Sequence, residues 1–349
     1  MNRSILRLSV WCAVTMALIT SGGRAGQGVA AQVIPVNGPY LLTGNAALNY
    51  VGSSHVWDSA SGHLYTSTRG GIYQFDVASM KVLGRTPSVR GSGSMSFDAS
   101  RNELYVLALH SDVMNVVDVT TRAIVRSFEA PAWFNVFYEP GRGELYYLRG
   151  DTREVRIADR VAGKTIKTLT LAGKPSFLEP DPAHHRVLVR LADTEQIQII
   201  DTTDREISGS WPARADGQSA MAIDPTGTRV FVSSGRDVVM LDGATGKELS
   251  RFGTGDGTQS IVYDAETQFV VALDFGGRVN IAKREGDSLK VVQSFGAGGV
   301  QELFLDPKTH KVFGVTRLQD DGVMRDLLVQ PMPQSATGGS TLLTLTLTK

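Results

Sequence analysis

The six histidines, at positions 55, 63, 110, 184, 185 and 310, are the first residues to test for chemistry, because imidazole both binds metals and transfers protons. His184 and His185 stand together in DPAHHRV, but neighbours on a strand or turn point apart, and no third ligand lies near them in sequence. Neither HxxxH nor HExxH occurs, so no metal site is expected and the pair reads as turn surface. A serine nucleophile would call for a GxSxG elbow, which is absent; the serines fall in turns and at strand starts, and no catalytic residue is assigned. GTGDGTQ at 253–259 and RGSGS at 90–94 have glycines enough to approach a phosphate, yet neither runs on into the Lys-Ser/Thr and helix of a P-loop, and both read as connections. RGD at 149–151 follows ELYYL and is explained by hairpin chemistry rather than adhesion. No cofactor is expected.

What must position any functional residue is a repeat. The 29 residues DPTGTRVFVSSGRDVVMLDGATGKELSRF (224–252) hold three apolar bursts between turns, too little to make a core alone. Asp224 stands six residues before Val230, and the same step joins Asp58 to Leu64, Asp98 to Leu104, Glu139 to Leu145, Asp181 to Val187, Asp264 to Val270 and Asp306 to Val312. Successive anchors are 40, 41, 42, 43, 40 and 42 residues apart. Each repeat reads as four strands: a run ending at the anchor (SMSFD, SIVYD), one after the turn (LYVLAL, RVFVSS), a third (MNVVDV, IQIIDT) and a fourth (AIVRSF, ELSRF). β-branched and aromatic residues fill the runs, turn formers fill the gaps, and no run keeps a helical period. Four strands in about 40 to 45 residues is the period of a propeller blade. The expected fold is therefore an all-β, seven-bladed β-propeller with four antiparallel strands per blade, a single domain over 32–349.

Two ends need separate treatment. Arg3 and Arg7 precede LSVWCAVTMALIT, and small residues at Val29 and Ala31 follow, so 1–31 is expected to be a secretory signal peptide, too short in its apolar part to span a bilayer comfortably. The protein is expected in the periplasm or secreted, with no transmembrane segment in the mature chain. Its single cysteine, Cys12, lies in that leader, leaving no disulfide and no thiol chemistry. Without Arg3, Arg7 and Arg24 the 35 basic residues become 32 against 35 acidic ones, a formal −3. Such a surface has no long reach toward nucleic acid, which is not expected as a partner. The last repeat offers ELFLD, KVFGVT and MRDLLVQ but no adjoining fourth strand. GPYLLTG at 38–44 is expected to close it, with STLLTLTLTK as the competing candidate and 331–349 read as a C-terminal tail.

The repeat resembles that of the YVTN-type bacterial propellers: an Asp-Pro turn, a YV-like strand, a VxxxD strand, TGK and a closing strand, as in DPTGTRVFVSSGRDVVMLDGATGKELSRF and LDPKTHKVFGVT. The similarity covers about residues 40–330 and points to exported YncE-like, WD40-like proteins. Glu139 in place of the anchor Asp, and Lys283 in IAKREGD in place of the usual Asp, depart from it and bear on local turns. The resemblance implies architecture more than activity, since the matching residues are turn and core positions. Propeller lactonases carry a Glu, Asn and Asp set around a metal, and no such set can be placed here.

In a propeller the first strands line the channel. Their starts supply Ser54, Ser94, Asn135, Ser176, Ser219, Ser260 and Gln301, a polar mouth. The adjoining connections carry Arg90, Trp133, Phe134 and Lys174, aromatics beside single cations, the usual means of gripping a partner or small ligand. The bland alternatives are a wet, empty ring and an aromatic that plugs it. The function expected is non-catalytic: a monomeric binding or scaffold module for a protein, peptide or envelope ligand. The alternative is an enzyme or redox-associated subunit with a small-molecule or metal site at the mouth.

Overall fold

A computed structural model of the protein describes residues 40–48, 54–68, 71–79, 81–87, 89, 92–108, 112–130, 135–149, 151–213, 220–297, 299–317 and 340–347. Among these, the one helical element is the 3-10 turn Pro182–His184; all other regular structure is β.

The runs read from the sequence form four-stranded antiparallel sheets. The first contains Ser54–Asp58, His63–Thr68, Gly71–Asp76 and Lys81–Thr86, each hydrogen-bonded to the next in chain order. Five further sheets repeat this order, with first strands Ser92–Asp98, Asn135–Glu139, Pro175–Asp181, Met221–Ile223 and Thr258–Asp264. Position within a sheet decides composition. A second strand is covered on both faces, so Arg186–Leu191 (RVLVRL) is buried throughout. A fourth strand is an outer edge, so Ala123–Glu129 (AIVRSFE) alternates between exposed and half-buried.

The closing sheet is assembled from both parts of the chain. Val300–Asp306 pairs with Lys311–Arg317, which pairs with Ser340–Leu347, which pairs with Tyr40–Leu48 on the outside. Both candidate closing segments are thus used together. Ser340–Leu347, within the stretch read as a tail, takes the third place that MRDLLVQ was expected to fill, and MRDLLVQ itself lies outside the described residues. Its Thr/Leu alternation suits a strand paired on both edges.

The core lies between sheets. Leu148, Val155 and Ile157 of the third sheet meet Leu178, Val187 and Val189 of the fourth in one buried cluster. Burial of an apolar side chain of this size stabilises by about 1.5–3 kcal/mol. The first and closing sheets meet in the same way, through Leu64 and Phe75 against Phe313 and Val315. There Trp57 packs 5.4 Å from Phe313, and Lys308 Nζ donates to the Ala60 carbonyl at 3.0 Å.

The anchors hold turns. Asp224 Oδ1 accepts the Thr226 N–H at 2.9 Å, Asp98 Oδ1 that of Ser100 at 2.9 Å, and Asp306 Oδ1 that of Lys308 at 3.0 Å. Glu139, one methylene longer, does the same work with both oxygens, accepting from Gly141 N at 2.7 Å and Arg142 N at 2.8 Å. Asp181 differs, its turn being the 3-10 turn Pro182–His184; it takes His184 Nδ1 at 3.1 Å and Arg186 Nε at 2.8 Å instead. Four residues after an anchor the backbone turns left-handed, at Gly62, Asn102, Gly143, His185, Gln268 and His310. His184 and His185 are therefore parts of one turn, one bonded to the anchor and the other at the left-handed position. Lys283 donates to the Thr267 carbonyl at 2.5 Å and sits 4.6 Å over the Phe269 ring, in a hairpin that runs on through Glu285 and Ser288.

Candidate functional site

The first strands contact one another in order from Ser54–Asp58 round to Val300–Asp306, and all of them except Asn135–Glu139 line an open cavity of about 1010 Å³. Because a strand alternates its side chains, position relative to the anchor decides what faces this channel. Residues three before the anchor, such as Val136, Leu178 and Ile261, are buried in the clusters between sheets. Residues two and four before it, such as Glu179, Phe304, Ser260 and Glu302, line the cavity.

The starts of these strands hold a feature invisible to pattern reading. Four of them have a register shift, between Ser92 and Ser94, Pro175 and Phe177, Thr258 and Ser260, and Val300 and Glu302. One extra residue stands there each time, Gly93, Ser176, Gln259 or Gln301, always five before the anchor. The seven mouth residues expected from sequence therefore mix two positions. Ser54, Ser94, Asn135 and Ser260 stand four before their anchors, whereas Ser176, Ser219 and Gln301 stand five before theirs. In the last three repeats of that kind the channel-facing residues four before the anchor are Phe177, Ala220 and Glu302.

Several of the expected hydroxyls are spent on the scaffold. Ser94 Oγ accepts the Val136 N–H at 3.1 Å and Ser260 Oγ the Leu303 N–H at 3.1 Å, each reaching the next sheet's first strand. Ser96 Oγ repeats this with Tyr138 N at 2.8 Å. Ser176 Oγ donates to the Arg190 carbonyl at 3.3 Å. Ser54 and Asn135 are half-buried and Gln301 is exposed. Lys174 is exposed, with its backbone N–H donated to Asp193 Oδ1 at 2.7 Å, so its loop is fixed while its ammonium is outside. Arg90, Trp133, Phe134 and Ser219 lie outside the described residues.

The residues that sequence reasoning missed are Glu179 and Glu302. Both line the channel, and neither carboxyl has a hydrogen-bond or ion-pair partner among the described residues. Each is half-buried beside the channel space, and desolvation by the surrounding protein pushes both up to about 8. Glu302 stands four before its anchor and Glu179 two before, so they differ in depth by about 7 Å at ~3.3 Å per residue. Aromatic rings lie beside them: Phe177 is edge-on to Phe137 at 5.9 Å, and Phe304 edge-on to His55 at 6.5 Å. The cavity wall has no Lys or Arg among the described residues. The one sequence signal for the pair was a Glu at an even step before an anchor, on the channel side of a first strand.

No known protein-family profile matches the chain. An uncharacterised protein YncE of Salmonella typhi is 26% identical over 127 residues, a match covering 35% of this chain and 36% of that protein. The chain thus aligns with about a third of that relative's length. Solved structures show the fold more fully. The β-propeller domain of Cps50 (Swd1) from Myceliophteria thermophila is matched with a TM-score of 0.68 at 13% identity, over 89% of this chain and all of that one. U3-55K is matched with a TM-score of 0.67 at 11% identity, over 86% and 98%. A chain of the mitotic checkpoint complex is matched with a TM-score of 0.64 at 14% identity, over 85% and 96%. The protein has an all-β propeller fold. At these identities the likeness is one of architecture. No helix among the described residues is long and apolar enough to cross a membrane.

Proposed function

We propose that the chain is a seven-bladed propeller of the YVTN-repeat, YncE-like kind, exported to the periplasm or beyond, and that it acts without catalysis as a binding module for a protein, peptide or envelope ligand. The observation that carries this reading is the channel: a cavity of about 1010 Å³ reaching the strand starts at Ser260, Gln301 and Glu302. Its wall combines apolar rings with unpaired polar groups, the composition that binding pockets use for affinity and orientation. The seven anchors and the repeat's match to YncE support the blade count and family. Arg3, Arg7 and the apolar run after them support export. The mitotic checkpoint complex holds a propeller chain within a protein assembly, a precedent for the use of such a face.

The test has two parts. Cell fractionation of the full chain should place a product shortened by about thirty residues in the envelope fraction, as expected for a cleaved leader. Mature protein should retain a specific partner from envelope extract, and both Trp133→Ala with Lys174→Ala (loop face) and Phe177→Ala (channel) should be compared with it. Loss of at least about tenfold in retained partner with either variant, at unchanged melting temperature, supports the reading. Retention indifferent to both refutes it.

One observation favours the enzymatic alternative. Desolvation pushes Glu179 and Glu302 up to about 8, toward the protonated form that a general acid needs. A turnover abolished by Glu302→Gln in a substrate screen would establish that alternative.

A further inference from the structure

We propose that the channel takes an organic ammonium group carried on an apolar stem, either a free alkylamine or a lysine side chain of a docked peptide. The inference rests on the reading of the channel as a ligand site and names the ligand's chemistry. Its basis is an imbalance in the wall. Glu179 and Glu302 line the cavity without partners among the described residues, and the described lining offers no basic side chain to neutralise them. The remaining titratable groups of the wall are engaged. Asp58 Oδ1 accepts Ala60 N at 3.0 Å, His55 Nδ1 lies 3.1 Å from Thr66 Oγ1, and Tyr263 Oη accepts from Arg284 at 3.0 Å. A buried carboxyl with no partner is costly when ionised, and a bound cation is the ligand class that removes that cost.

The rest of the wall selects among cations. A small, strongly hydrated metal ion seeks several oxygens at once, whereas the two carboxyls stand on different first strands at different depths. Phe177 and Phe304 line the cavity on the same strands and supply aromatic surface to an ammonium, and Val262 and Ala222 offer apolar contact to its stem. Since desolvation raises both carboxyls toward the protonated form, capture of a cation should expel a proton from the carboxyl that pairs with it.

The test uses the mature protein and a matched pair of probes, pentylamine and pentan-1-ol, which share a stem and differ in charge. Calorimetry at pH 7 should show the amine binding at least about tenfold more tightly than the alcohol. The same titration in two buffers of different ionisation enthalpy should show proton release on amine binding. Glu302→Gln or Glu179→Gln should weaken the amine by a similar factor, reduce the proton release and leave the alcohol unchanged. A peptide with one lysine, set against the same peptide with norleucine, distinguishes the two sources: tighter binding of the lysine peptide than of pentylamine assigns the site to a partner's side chain, the reverse to a free amine. Equal binding of amine and alcohol to the wild-type protein, or amine binding unaffected in the double Gln variant, overturns the proposal. The comparison on wild-type protein stands even if a variant fails to fold. If the amine binds as described while partner retention is indifferent to both the loop-face and the channel variants, the binding-module reading fails and this one survives.

Discussion

Ser94 Oγ accepts the backbone N–H of Val136 at 3.1 Å across the boundary between two sheets, and Ser260 Oγ does the same for Leu303 at the same distance. Val136 is 1% exposed, so its N–H has no water to turn to. Ser94→Ala should therefore destabilise the fold by about 1–3 kcal/mol, the cost of leaving a buried donor unpaired. Ser94→Thr, which keeps the hydroxyl, should recover part of it. Urea unfolding of the two variants checks this; equal stability of Ser94→Ala and wild type would show that the hydroxyl is dispensable.

The anchors should not be equivalent. Asp98 is fully buried, accepts from Ser100 and takes Arg160 Nη1 of the next sheet at 2.6 Å. Asp306 is only half-buried, and its partners among the described residues are those of its own turn, Lys308 N and Thr309 Oγ1. Asp98→Ala should cost more than Asp306→Ala, about 2–3 kcal/mol against about 1, because the first removes a buried carboxylate partner of Arg160 across a sheet boundary as well as a turn contact. Thermal unfolding of the pair gives the order directly.

Stability should fall as pH rises through the neutral range. Glu179 and Glu302 have folded-state values raised from 4.5 to about 8, so between these limits the folded chain holds protons that the unfolded chain has released. Their contribution is fully present below 4.5 and is lost progressively up to about 8. Glu179→Gln with Glu302→Gln should flatten that decline and make the protein more stable than wild type at pH 8–9 and close to it at pH 5. Urea midpoints at pH 5, 7 and 9 suffice; a wild-type profile rising from 5 to 9, with no change in the variant, would contradict the assignment.

The closing sheet sets an order for truncations. Ser340–Leu347 is paired on both sides, to Lys311–Arg317 and to Tyr40–Leu48, whereas Tyr40–Leu48 is the outer edge. Removal of 339–349 deletes two ladders and strands the outer strand; removal of 32–48 deletes one. The C-terminal truncation should give the larger drop in melting temperature, and the two together little more than the C-terminal one alone. A larger loss from the N-terminal truncation would mean that the outer strand does more than pair with Ser340–Leu347.

Local interactions explain what was legible in the chain. An anchor that bonds two residues ahead, as Asp224 does to Thr226, and a left-handed step four residues on, as at Asn102, are settled within one turn, so they recur as spacing and residue type. Apolar runs such as RVFV, bounded by these turns, then announce four strands per repeat whatever their neighbours. The strand content, the repeat and the anchors' role in turns are therefore properties that the sequence by itself determined. Tertiary structure decided the rest, because it depends on what arrives from elsewhere. Which terminal strand takes which place in the closing sheet depends on a ladder between residues about 300 apart in sequence, Leu42 with Leu345. The bulge at Ser176 and Gln301 moves the channel face by one residue, a change that pattern cannot register since side chains alternate with period two. Ser94 looks like a mouth residue until the next sheet delivers the Val136 N–H to it. Glu302 looks like an ordinary surface acid until closure of the ring encloses it, and it is that enclosure, a property of all the sheets together, that raises its pKa and makes it a candidate for binding.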